Sequence, residues 1–321
     1  MSANSHAPAP IASSASVTSP PAEQSARTGA LAATLGYLLW GLVPLYWKQL
    51  ETINALELIA HRLVWSLVFL VVLTGLQGGI REVLGALSNR RSISRNLLSS
   101  TLLTVNWLVY VWGVNTGHVI ETSLGYFLVP LVNVAVGRII LHEHLRRAQW
   151  VAIAFAAIGV VVMIAQLGRP PWIALVLAGT WGAYSLMRKQ SVLGSLSGLT
   201  VETLLLAPLA VAFLMWQEHT GAGALGRLDT RAQVLILSAG IITALPLLLF
   251  AFGARRIRLA TLGLLQYIAP TVQLLIGVWV YHEPFSASRA LGFVCIWAGL
   301  ALYTTDNLLG QLGAGRAARQ A

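Results

Sequence analysis

Charge is what this chain lacks most. Only 10% of its 321 residues are Asp, Glu, Lys or Arg, against 56% hydrophobic, whereas a soluble domain carries about 25% charged residues to face water. With a mean hydropathy of +0.72, that shortage excludes an ordinary soluble globule, and lipid is the surface such a chain needs. Cysteine is nearly missing too. Cys295, inside an apolar stretch, is the sole one, which excludes a disulfide framework and a cysteine zinc site. No Gly-Lys pair occurs, so there is no P-loop to cradle ATP. The first long apolar run has no acid between Leu31 and Trp47, which excludes a coupling carboxylate deep in that run. No nucleophile or metal cluster gathers at one depth, so neither an enzyme nor a cofactor is expected.

What the chain does have is arginine. The net charge is +10, from 19 Arg and 2 Lys against 11 acids. These residues do not form one patch interleaved with aromatics, so nucleic acid is not an expected partner. They recur in clusters between apolar runs, as membrane topology signals do.

A span needs about 20 mostly apolar residues. Such runs occur at 30–47, 56–76, 97–115, 119–141, 148–166, 172–188, 198–216, 232–253, 259–281 and 288–305. If the N-terminus is cytoplasmic, fourteen Lys and Arg fall in inside segments and five in outside ones, with Arg62 and Arg138 within spans. Both termini are therefore expected inside. Residues 1–28, rich in Ala, Ser and Pro, are expected to be a disordered tail, and 307–321 a short cytoplasmic one. No basic segment precedes a short apolar stretch at the start, so a cleaved signal peptide is not expected.

The most specific signal is a duplication. Pro130, Gly137, His142, Glu143 and Gly159 each have an identical residue 140 positions later: Pro270, Gly277, His282, Glu283 and Gly299. Trp40-Gly41 with Lys48-Gln49 is matched by Trp181-Gly182 with Lys189-Gln190. Glu57 and Glu202 open the second run of each half. Two halves, 29–166 and 167–306, follow, each with five spans. An odd number of spans inverts the second half relative to the first. The expected fold is an all-α membrane protein of ten transmembrane helices in two inverted five-helix repeats, the plan of many secondary transporters. A duplication that only builds a stable bundle, in a scaffold or sensor subunit, is the alternative.

These residues resemble the RarD-type permeases, chloramphenicol-sensitive proteins with EamA repeats in the drug/metabolite transporter superfamily. The matching stretches are Trp40-Gly41 with Leu45-Tyr46-Trp47-Lys48, Glu57 with Ala60-His61-Arg62, Asn106-Trp107 with Tyr110 and Trp112, and Glu121 before Ser123-Leu124-Gly125-Tyr126-Phe127. The second half contributes Pro246-Leu247-Leu248-Leu249-Phe250, Thr261-Leu262-Gly263, Gln266-Tyr267-Ile268 with Pro270-Thr271, and Glu283-Pro284-Phe285. The resemblance runs from about residue 30 to residue 306. It implies ten helices, a bacterial inner-membrane location, and export or exchange of a small metabolite or drug-like solute by alternating access. Two positions depart from the family pattern: Val129 stands where Asn is usual, and His142 where Gly is frequent.

Ionisable side chains inside hydrocarbon usually face a cavity. Glu57 and His61 share one helix face, and Arg62 points elsewhere. They form a candidate outer gate, with Arg62 attracting an anionic group and Glu57 or His61 exchanging a proton. The opposing expectation is a carboxylate stabilised at a helix start with a snorkelling Arg. Glu121 also stands at a helix start. Asn106, Trp107 and Tyr110, with Gln266, Tyr267 and Gln273, are candidates for an aromatic, hydrogen-bonding pathway or for interhelical glue. Pro130 and Pro270 are candidate bends. His142, Glu143 and His144 lack the spacing of a zinc helix, so no metal is expected. The expected partners are a small solute and membrane lipids; a homodimer is compatible but not required.

Overall fold

The computed structural model describes residues 21–165, 170–282, 290–295, 297–299, 301–302 and 305. The outer parts of both tails, Glu283, Pro284 and Phe285 lie outside the described residues. Helices α1 (Pro21–Trp47), α2 (Ala55–Leu76), α3 (Ile80–Ser88), α4 (Arg90–Asn115), α5 (Val119–Ile139) and α6 (Arg147–Ala165) are followed by α7 (Trp172–Lys189), α8 (Ser195–His219), α9 (Thr230–Ala254), α10 (Leu259–Gln266) and α11 (Ile268–Trp279). A further helical stretch begins at Ala290. No strand occurs among the described residues. Seven helices, counting α10 and α11 as one, are long and apolar enough to cross a membrane. The stretches Arg147–Val162 and Ala290–Gly299 are apolar but shorter.

Three features differ from expectation. Residues 21–28, expected in the tail, are the first turns of α1. Pro at the first helical position and Ala22, Glu23 and Gln24 behind it are compatible with a helix that the span then propagates. The nine-residue α3 is too short to register as a span and lies in a basic connection; it buries Val83 and Ala86. Tyr267 interrupts the ninth apolar run, three residues before Pro270, which has no N–H to continue the ladder. Helix α5 is continuous through Pro130.

Burial is reversed relative to a water-soluble protein. Leu209 and Trp279 are 73% and 71% exposed, while Glu57, His61, Asn106, Glu121, Arg188 and Glu202 are buried. An apolar solvent outside favours this arrangement, since polar groups then find partners only inside. Close backbone approach supplies the packing. A Cβ on Gly240 of α9 would lie 2.2 Å from the Trp65 carbonyl carbon of α2, and Ser66 Oγ donates to the Gly240 carbonyl across the same crossing. A Cβ on Gly263 of α10 would lie 2.8 Å from the Pro130 carbonyl oxygen of α5.

The halves interleave. Helix α1 packs on α9 and α11, α2 on α8 and α9, α4 on α7 and α8, and α5 on α7 and α10. The repeat-related Trp40 and Trp181 meet edge to face at 5.2 Å, in an aromatic cluster with Tyr37, Tyr184 and Phe250. His142 and His282, also repeat-related, are the non-glycine residues with positive φ among those described, both at 52°. The left-handed conformation ends α5, and Glu143 N–H donates back to the Gly137 carbonyl. Gly takes that backbone without the steric cost that His142 and His282 bear.

Candidate functional site

Four carboxylates of the first half bind backbone N–H groups of the second. Glu57 Oε1 accepts from Ala224 in the α8–α9 loop. Glu121 Oε1 accepts from Ile173 at the start of α7, at 2.8 Å. Glu82 accepts from Gly194, which precedes α8, and from the Ser197 hydroxyl. Glu143 accepts from Leu259 and Ala260 at the start of α10, at 2.7 and 3.1 Å. A helix start has unpaired N–H donors and partial positive charge, so a carboxylate there is stabilised. Following the helices through the bundle puts Glu57 and Glu121 at one end, and Glu82 and Glu143 at the other. Lys189 stands 3.8 Å from Glu143 and donates to the Ala254 and Ile257 carbonyls.

Several expected pathway residues hold helices together. Asn106 donates to the Leu177 carbonyl and the Thr180 hydroxyl, tying α4 to α7. Gln266 accepts from Asn133 at 3.2 Å. Tyr267 donates to the Phe127 carbonyl, and Gln273 to the Trp40 carbonyl of α1. His61 Nε2 sits 3.9 Å from Glu57 Oε1, a contact too long for a hydrogen bond, in the same buried layer.

Arg62, Trp107 and Tyr110 converge. Arg62 Nε donates to Thr243 Oγ1 of α9 at 2.9 Å. Its guanidinium carbon lies 4.6 Å from the Trp47 ring centre and 5.0 Å from that of Trp107. Tyr110 and Tyr126 pack edge to face at 5.5 Å, and both, with Tyr46, are within electrostatic reach of the guanidinium. Among the described residues no carboxylate comes within ion-pair distance of Arg62.

A second arginine is held differently. Arg188, at the end of α7 and 1% exposed, donates to Glu202 Oε1 of α8 at 3.2 Å. Ser99 of α4 donates to the same oxygen at 2.6 Å, and Tyr184 to Oε2 at 3.3 Å. Glu202 lines two cavities. One is a vestibule of about 550 Å³ beside α3 and the start of α4, which also includes Glu82, Arg91, Arg95 and Arg188. The other, about 20 Å³, is bounded by Ser66, Ser100, Trp107 and Thr243. That volume holds about one water. Glu202 thus borders both cavities, the smaller of which shares Trp107 and Thr243 with the surroundings of Arg62; no sequence signal marked it as more than the opening of a repeated helix.

These features define a polytopic helical membrane protein with a polar, aromatic interior. The EamA-like transporter family matches residues 27–165 and again 170–305. The chain belongs to that family. It is 44% identical over 288 residues to the transporter YojE of Bacillus subtilis (strain 168), covering 88% of this chain and 95% of that one. It is 42% identical over 290 residues to protein RarD of Streptomyces exfoliatus, covering 89% and 91%, and 36% identical over 285 residues to protein RarD of Escherichia coli (strain K12), covering 89% and 96%. A solved crystal structure at 19% identity, covering 86% of this chain and 97% of its own, shares the fold with a TM-score of 0.67. Relatives named as transporters or as RarD agree with the resemblance drawn from the residues and carry no enzyme name.

Proposed function

We propose that this protein is a secondary transporter of the inner membrane that moves a small solute by alternating access between two inverted halves of five spans each, 29–166 and 167–306, with both termini cytoplasmic. The observation that carries it is the placement of Glu202. Paired with Arg188, it borders both the vestibule and the small cavity lined by Trp107 and Thr243, the two residues that also touch Arg62. A gate of this kind separates one aqueous side from a site near the middle of the bundle, where transporters built from inverted repeats bind their cargo.

The helix contacts support the inverted plan. The pairing of α1 with α9 has its counterpart in α7 with α4, that of α2 with α9 in α8 with α4, and that of α5 with α7 in α11 with α1. Any two-fold exchange of the halves generates that pattern, and an odd number of spans in each half would turn its axis into the membrane plane. The carboxylate clips, two at each end, follow from the same alternation.

The chain's single cysteine makes the test simple. In a Cys295→Ser background, Glu51→Cys and Ser191→Cys stand in repeat-related loops. An impermeant thiol reagent is expected to label them from opposite faces of the membrane; labelling from the same face removes the inverted plan. Saturable flux of labelled metabolites into vesicles holding the purified chain, with and without a pH gradient, tests transport itself. Correctly folded protein without flux of any candidate overturns it.

A further inference from the structure

We propose that Arg62 holds the carboxylate of the transported solute, which makes that solute a small organic acid with an apolar body; the proposal rests on the transport function above. Four helices meet at this guanidinium: α1 brings Trp47, α4 brings Trp107, α9 brings Thr243, and α2 carries Arg62 itself; Tyr110, three residues after Trp107 in α4, packs on Tyr126 of α5. The side chain does not run back along α2 to the nearer end of the helix, as a snorkelling arginine does. Its guanidinium is held between Trp47, the last residue of α1, and Trp107 within α4, while Nε donates inward to Thr243 within α9.

The donors then select the ligand. Nε is committed to Thr243, and no described residue accepts a hydrogen bond from the two terminal nitrogens. These form the planar fork that matches a carboxylate with two parallel bonds. A buried charge is tolerated where something neutralises it. The buried Arg188 has Glu202 for that purpose, whereas the half-buried Arg62 has no acid among the described residues and terminal nitrogens a solute can reach, so the anion is assigned to the cargo. The indoles and phenols around it suit an apolar or aromatic body. The vestibule adds an electropositive approach: Arg91 and Arg95 line it, and neither has a carboxylate within ion-pair distance among the described residues.

The test uses the full chain in phosphatidylcholine nanodiscs, titrated calorimetrically with phenylacetate and with phenylacetamide, its uncharged counterpart of the same shape. The wild type is expected to bind the acid at least tenfold more tightly. Arg62→Gln is expected to abolish that preference and Arg62→Lys to retain part of it. Equal binding of acid and amide by the wild type, or a preference surviving in Arg62→Gln, overturns the proposal. Thr243→Val keeps the charge and removes only the acceptor of Nε. It is expected to change phenylacetate affinity severalfold and leave phenylacetamide unchanged; equal effects on both overturn the assignment even if Arg62→Gln does not fold. Loss of phenylacetate binding in discs containing phosphatidylglycerol would give the site to a lipid headgroup and overturn it as well. Vesicle flux separates the two claims. Acid-selective binding without phenylacetate flux leaves the site and removes the carrier. Flux of phenylacetamide matching that of phenylacetate leaves the carrier and removes the site.

Discussion

Arg62 and Arg188 are both arginines drawn into an apolar bundle, and their surroundings differ. Arg188 is neutralised by Glu202, with Ser99 and Tyr184 satisfying the carboxylate further. Arg62 has two indole faces, one hydroxyl and no acid among the described residues. The difference separates a closed contact from an open one: a charge paired with a carboxylate holds α7 and α8 together, while one without an acid keeps a place for a ligand. Removing either residue should therefore fail in a different way.

The largest effect is expected at Glu202. Glu202→Ala strands a buried guanidinium and should cost about 3–5 kcal/mol of stability, read as a large fall in the melting temperature of the purified protein. Adding Arg188→Met should recover much of it. If Glu202→Ala melts like the wild type, the contrast between the two arginines is wrong. Next, Arg62→Gln should lower flux of an acidic solute at least tenfold while stability changes by about 1 kcal/mol or less, since only one hydrogen bond and two ring contacts are lost. A fall in stability as large as that of Glu202→Ala would make Arg62 structural. A third variant lies between them. Glu143 pairs mainly with neutral N–H donors at the start of α10, so Glu143→Ala should cost about 1 kcal/mol, with thermal melts as the check. The smallest effect belongs to Trp47→Leu, which removes one ring from Arg62. Weakening acid binding by about 0.5–1 kcal/mol, it should be visible by calorimetry and leave the melting temperature nearly unchanged.

Much of the fold was legible in the residues because hydrocarbon allows few solutions. Each expected apolar run overlaps a described helical stretch, and the duplicated Trp40 and Trp181 meet in the core. Arg62 was legible for the same reason: a charge inside an apolar run stands out. The pairing of Arg188 with Glu202 was not. The one looked like a loop charge and the other like a helix start, and only the crossing of α7 and α8 brings them together. Glu57, read from the sequence equally as a gate or a helix-start acid, accepts a hydrogen bond from a loop 167 residues away, a separation that no local pattern encodes. Helix α3 and the interruption at Tyr267 escaped because the one has only nine residues and the other is a single residue, both shorter than an apolar run.

The carboxylate clips bear on how the chain is made. Glu57, Glu82, Glu121 and Glu143 are all synthesised before any of the N–H groups they hold, at Ile173, Gly194, Ala224 and Leu259, has left the ribosome. The early helices therefore wait in the bilayer unfinished at both rims, and translation of the later ones closes the structure. A chain severed between residues 165 and 172 should reassemble only when both fragments are supplied together.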